Sequence, residues 1–171
     1  MRIIGKGMTG KSIKNLYKDA SIYDDHNIDE FDINSDELTV ISPGIKPSHY
    51  FVKNSKNIIS EYDLLLSLKN TPFCIWISGT NGKTTTTQMC QKLLSKYNSS
   101  MGGNIGIPIS SMNRKSSIWI LETSSFSIHY INKVSPNIYI LLPISQDHIS
   151  WHGSFSEYKK SKLKAMDSMS D

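Results

Sequence analysis

The chain has 171 residues, 38% hydrophobic and 20% charged, which places it among globular proteins with one ample core or two small ones and excludes disorder as the whole answer. Its formal charge of +4 comes from scattered lysines, without the dense basic blocks and interleaved aromatics of a nucleic-acid surface; a mildly basic balance suits small anionic ligands. No run of 18 apolar residues occurs and Met1 to Gly5 shows no signal-peptide core, so a soluble, cytoplasmic protein with no membrane contact is expected.

Ile3-Ile4, then Gly5-Lys6-Gly7-Met8-Thr9-Gly10, then Ile13, Leu16 and Tyr17 at helical spacing predict a strand, a glycine turn and a helix. Short strands follow at Ala20 to Tyr23, Leu38 to Ile41 before the turn Ser42-Pro43-Gly44, and Asn57 to Ile59, with a leucine-rich helix from Glu61 to Lys69. The pattern pauses at Asn70-Thr71-Pro72. A second series then opens with Phe73-Cys74-Ile75-Trp76-Ile77, the continuous apolar run of a central parallel strand. A helix is predicted from about Thr84 to Lys96, strands at Ser117 to Leu121 and Asn137 to Leu142, and a last helix from about Ser156. Cys74 and Cys90 lack metal-ligand spacing and read as small buried hydrophobes. The expected fold is α/β: a small Rossmann-like unit over residues 1–71, then part of a P-loop-type parallel-sheet unit over 72–171.

Ser78-Gly79-Thr80-Asn81-Gly82-Lys83-Thr84, between the apolar strand and a helix, is a phosphate-binding loop of the ATP type. Backbone N–H groups at a helix N-terminus favour anions, and glycines let the chain approach closely. Lys83 suits the β/γ phosphate oxygens, and the Thr84 hydroxyl suits Mg²⁺. The longer pattern with a glycine five residues before the second glycine is not met, because Ile77 stands there.

That shortened loop, together with Met101-Gly102-Gly103-Asn104-Ile105-Gly106, Leu121-Glu122-Thr123-Ser124-Ser125-Phe126, Asp147-His148 with His152-Gly153, and Tyr158 to Lys162, resembles the Mur ligase family, which uses ATP to join amino acids to peptidoglycan precursors. The Gly-Gly-Asn-Ile-Gly and Ser-Ser-Phe forms favour the branch that adds D-glutamate to UDP-N-acetylmuramoyl-L-alanine. The resemblance implies Gly79, Thr80, Asn81, Gly82, Lys83, Thr84 and Thr85 at the nucleotide, and Lys83, His148 and Lys162 as catalytic groups. It also implies two Mg²⁺ sites drawing on Thr84, Glu122, His148 and Lys162, the last as a CO₂-derived carbamate. A cationic lysine cannot bind a metal, whereas a carbamate offers two hard oxygens. Met8, Thr9, Asp24, Asp25, Gly44, Asn104 and Ser125 are implied for the UDP-sugar substrate. Pro143, Ser150 and Trp151 depart from the residues usual in the family.

A monomer is expected; the resemblance further implies a third domain beyond residue 171 that helps bind the amino acid and ATP, so the chain alone is expected to bind but not to turn over. Two other readings compete: a non-catalytic UDP-sugar or ATP-binding module, and a dinucleotide-dependent oxidoreductase built on Gly5 to Gly10. The latter is disfavoured, because Asp24 follows Gly10 by 14 residues and the Rossmann acid comes about 20 on.

Overall fold

The computed structural model describes residues 1–167 and 169. Two four-stranded sheets, parallel throughout, carry the chain. In the first, β1 (Arg2–Ile4) lies between β2 (Ser21–Tyr23) and β3 (Leu38–Ile41), with β4 (Asn57–Ser60) outside β3. In the second, β5 (Phe73–Ser78) lies between β7 (Ile118–Glu122) and β8 (Ile138–Leu141), with β6 (Ser99–Gly103) outside β7. Both sheets meet the expectation of an α/β protein with parallel strands.

Each sheet is buried where its strands are apolar on both faces. Ile3, Ile4, Val40 and Ile41 form the floor of the first, and Trp76, Ile77, Ile120 and Leu121 that of the second. The helices are α1 (Met8–Leu16), α2 (Tyr50–Lys53), α3 (Glu61–Leu66), α4 (Lys83–Leu94), α5 (Ser125–Tyr130), α6 (Ile149–His152) and α7 (Phe155–Asp167). The helix predicted to reach Lys69 ends at Leu66, since α3 has four exposed or loop residues ahead of Thr71-Pro72 and no apolar face left to bury there. Cys74 is buried as expected, while Cys90 is half-buried on α4; both are free thiols.

The two sheets exchange side chains. Tyr62 and Leu65 of α3 pack with Trp76, Trp119 and Ile128 beneath the second sheet, while Tyr130 and Trp151 pack with Ile4, Phe31, Ile41 and Phe51 of the first. A buried aromatic of this kind contributes roughly 2 kcal/mol. Polar groups fix the register of the joint. Asp63 completes a capping box with Ser60 at the start of α3, and its carboxylate also accepts from the backbone N–H of Asn132 and Lys133 at 3.0 and 2.8 Å.

Candidate active site

The phosphate loop owes its shape to β5 and two glycines. Gly79 has φ +147°, and a Cβ there would stand 2.6 Å from the Leu142 Cβ. Gly82, at φ +82°, starts α4 with no side chain capping it, so the helix N-terminus is open to a ligand. Lys83 folds back over the loop, donating to the carbonyls of Gly79 and Thr80 at 3.1 and 2.8 Å. Asn81 and Thr85 are exposed at the mouth.

Glu122 ends β7 beside the loop and is buried. Thr84 Oγ1 donates to its Oε2 at 2.7 Å and Asn104 Nδ2 to its Oε1 at 2.8 Å, so both carboxylate oxygens are held. Asn104 sits after β6, a strand the sequence reading passed over because Ser99-Ser100-Met101-Gly102-Gly103 carries no apolar run. Its glycines are required by close approach: a Cβ on Gly103 would meet the Glu122 carbonyl oxygen at 2.5 Å.

Lys162 lies on the other side of the loop. The lysines of α7 look like a solvated face, yet Lys162 is 1% exposed. Its Nζ donates to the Gly79 carbonyl at 2.8 Å and to Ser78 Oγ at 3.3 Å, and lies 4.9 Å over the Tyr158 ring. Burial, then the charge of Lys83, lowers its pKa to about 8. One turn earlier, Tyr158 Oη bonds Thr80 Oγ1 at 2.9 Å, and that same hydroxyl ties to the backbone of Ser145. The spacing of Tyr158 to Lys162 is the signal it carries in sequence, and its bond to Thr80 is not legible there.

His148 starts α6 with φ +51°, a left-handed conformation that among the described non-glycine residues is shared only by Asn70 and Asn98. Its ring lies 4.7 Å from Phe126 and 6.0 Å from Tyr158, with Nε2 3.5 Å from Asp147. Thr84 and Glu122 are thus together, Lys162 and Lys83 share the Gly79 carbonyl, and His148 stands on an aromatic wall nearby.

A cleft of about 520 Å³ opens between the sheets. Met8, Thr9, Asp24, Gly44 and Asn104 line it, while Asp25 and Ser125 lie outside its lining. Asp25 pairs with His49 at 3.0 Å, and Ser125 Oγ is bonded to His152 Nε2 at 2.9 Å. Asp24 is paired with Lys6 at 3.1 Å. Glu61, unselected from sequence, also lines the cleft; its Oε1 accepts from Ser110 N and Oγ, and burial pushes its pKa up. Trp151, a departure from the family pattern, has a structural use here: its Nε1 donates to the Gly44 carbonyl at 3.3 Å and its ring packs on Phe126.

Among the described residues no three His, Cys, Asp or Glu side chains converge to hold a metal. The oxygens of Glu122 and Thr84 are nevertheless the hard donors that Mg²⁺ takes, one or two from protein with the rest from water and phosphate, so the residues fit that ion.

A phosphate loop without the leading glycine, joined through Glu122 to an asparagine in the cleft between the sheets, agrees with the family model described as the Mur ligase middle domain, which matches residues 77–171. The chain belongs to the Mur ligase family. Among Mur ligase relatives, it is 44% identical to the UDP-N-acetylmuramoylalanine–D-glutamate ligase of Campylobacter jejuni strain RM1221, over 99% of this chain and 46% of that protein. It is 45% identical to the protein of the same name from Helicobacter pylori strain HPAG1, over 88% of this chain and 37% of that protein. The chain therefore spans less than half the length of the curated relatives it matches. The solved structure of a UDP-N-acetylmuramate:L-alanyl-gamma-D-glutamyl-meso-diaminopimelate ligase from Neisseria meningitides shares the fold, with a TM-score of 0.57 at 18% identity over 99% of this chain and 68% of that one.

Proposed function

We propose that this chain is the UDP-sugar- and ATP-binding portion of a cytoplasmic ligase that joins D-glutamate to UDP-N-acetylmuramoyl-L-alanine at the expense of ATP, in peptidoglycan precursor synthesis. The names of the relatives support the reaction, and one structural observation carries it: Asn104, in the cleft, shares the Glu122 carboxylate with Thr84 of the phosphate loop. A substrate carboxyl placed beside Asn104 then stands next to the loop that presents ATP. Residues 1–71 would bind the UDP end and 72–171 the nucleotide.

Phosphoryl transfer to a carboxylate asks the protein mainly to position reactants and neutralise charge. The open N-terminus of α4 and the Lys83 ammonium would hold the phosphates, Lys83 exchanging the carbonyls of Gly79 and Thr80 for phosphate oxygens. Mg²⁺, when bound, supplies further neutralisation; Thr84 and Glu122 would hold one ion, and His148 with a carbamate on Lys162 a second. Tyr158 and Lys162, each 1% exposed, would shield that side of the loop from water. Asn104 would orient the muramoyl-alanine end by hydrogen bonding.

Titration calorimetry of this chain with UDP-N-acetylmuramoyl-L-alanine, ATP and NADH tests the reading. Binding of the first two and not of NADH is expected; NADH binding in preference to the UDP-sugar overturns it.

A further inference from the structure

We infer that Lys6 is a specificity residue for the diphosphate of the UDP-sugar, released from Asp24 when that ligand enters the cleft; the inference rests on the assignment of the cleft to a UDP-sugar. Lys6 is the one basic side chain among the described residues lining the cleft, which otherwise presents the carboxylates of Asp24 and Glu61. A diphosphate in that cleft therefore has a single cation to meet.

The surrounding loop leaves few other candidates. Gly5 has φ +99°, and a Cβ on it would lie 2.8 Å from Ser42 Oγ; one on Gly10 would overlap the Gly5 carbonyl oxygen. The turn is thus fixed against β3 and α1, and Lys6, Met8 and Thr9 are the side chains it sends into the cleft. Beside Lys6, the start of α1 has no side-chain cap and no acidic residue in its first turn, so nothing there competes with an anion.

The Lys6–Asp24 pair is built to be exchanged. Its N···O distance is 3.1 Å and the lysine side chain is 39% exposed, a setting in which an ion pair contributes little and gives way readily to a doubly charged ligand. Asp24 does not lose its place when Lys6 leaves. Its Oδ1 also accepts from the His26 N–H at 3.1 Å, and its own N–H donates to Asn27 Oδ1 at 2.8 Å.

The test is calorimetric titration of wild type, Lys6→Met and Lys6→Arg with UDP and with uridine at several salt concentrations. Lys6→Met is expected to weaken UDP roughly tenfold to hundredfold, the range for losing one charge-assisted contact, while uridine affinity stays at the wild-type value and shows that the cleft is intact. The salt dependence of UDP binding should flatten in Lys6→Met and persist in Lys6→Arg. Equal UDP affinity in wild type and Lys6→Met, or equal losses for UDP and uridine, overturns the role of Lys6 and leaves the cleft assignment standing. A wild-type chain that binds neither UDP nor uridine overturns the cleft assignment, and the role of Lys6 with it.

Discussion

The two glycine loops, Gly5 to Gly10 and Gly79 to Thr84, solve one problem in two ways. Each follows a buried strand, turns on a glycine at positive φ and opens an uncapped helix. They differ in the lysine. Lys83 is the first residue of its helix and lies folded on the loop's own carbonyls, whereas Lys6 precedes its helix and is tied to a carboxylate across the cleft. A lysine on carbonyls is a neutral-partner arrangement that any phosphate can displace. A lysine on a carboxylate is withheld until a ligand offers more charge than Asp24 does. The difference teaches that a shared backbone device is tuned by the group its cation is paired with.

The glycines offer the largest way to break the comparison. Gly10→Ala would drive a methyl group into the Gly5 carbonyl, and Gly79→Ala would press one onto Leu142 in a left-handed conformation. Each should destabilise the chain by about 3 kcal/mol, near 10 °C in melting temperature. Calorimetric melts should show both. A Gly10→Ala chain with unchanged stability would mean that the first loop is loose enough to yield, and that its likeness to the second ends at the sequence.

Lys83→Ala separates the loops by ligand. ATP affinity should fall about hundredfold, as expected for removing a charge-assisted phosphate contact, with the melting temperature nearly unchanged because the half-buried side chain bonds only loop carbonyls. Isothermal titration with ATP, run beside UDP as a control for the first loop, checks both halves. Loss of UDP binding in the same variant would show that the loops are not independent.

Whether the loops are held in register falls to Asp63. Asp63→Asn sets an amide N–H₂ against the donors of Ser60, Asn132 and Lys133, and should cost about 2 kcal/mol, close to 5 °C. If the melt is unmoved, the packing of Tyr62 and Leu65 carries the joint without its polar bracket.

Much of this was legible beforehand and some could not have been. Apolar runs and glycine turns announce β1, β5, β7 and the two loops, because a parallel strand buried on both faces needs unbroken apolar residues and a tight turn needs glycine. β6 was hidden, since an edge strand that must let Asn104 approach Glu122 is built from serine and glycine. The short α5 and α6 give too few residues for helical periodicity to register. Burial of Lys162 follows from α7 packing over the loop, and pairs such as Asp63 with Lys133 or Thr80 with Tyr158 join residues about 70 or more apart in sequence. Local pattern carries no information on such contacts.

The smallest effect concerns the wall beside the second loop. His152 bonds Ser125 at 2.9 Å, and burial, then the charges of His129, His148 and Lys162, depresses its pKa from 6.5 to about 4. The Ser161 hydroxyl lies 3.4 Å from Nδ1 of both His152 and His129, and His129 is depressed as well, chiefly by burial. Because the folded chain holds His152 neutral while the unfolded chain protonates near 6.5, stability is complete above that pH and declines as pH falls toward 4. The ring is partly solvent-facing, so the decline should be discounted to roughly 1 kcal/mol, or 2–4 °C. His152→Gln keeps a polar partner for Ser125 and cannot titrate, so its melting temperature should fall less than wild type's between pH 6.5 and 4. Among the described residues lining the cleft of the first loop there is no histidine, and the variant therefore sharpens the comparison. Parallel acid profiles for wild type and His152→Gln would place the pH sensitivity elsewhere, and would leave the two loops alike in their response to acid.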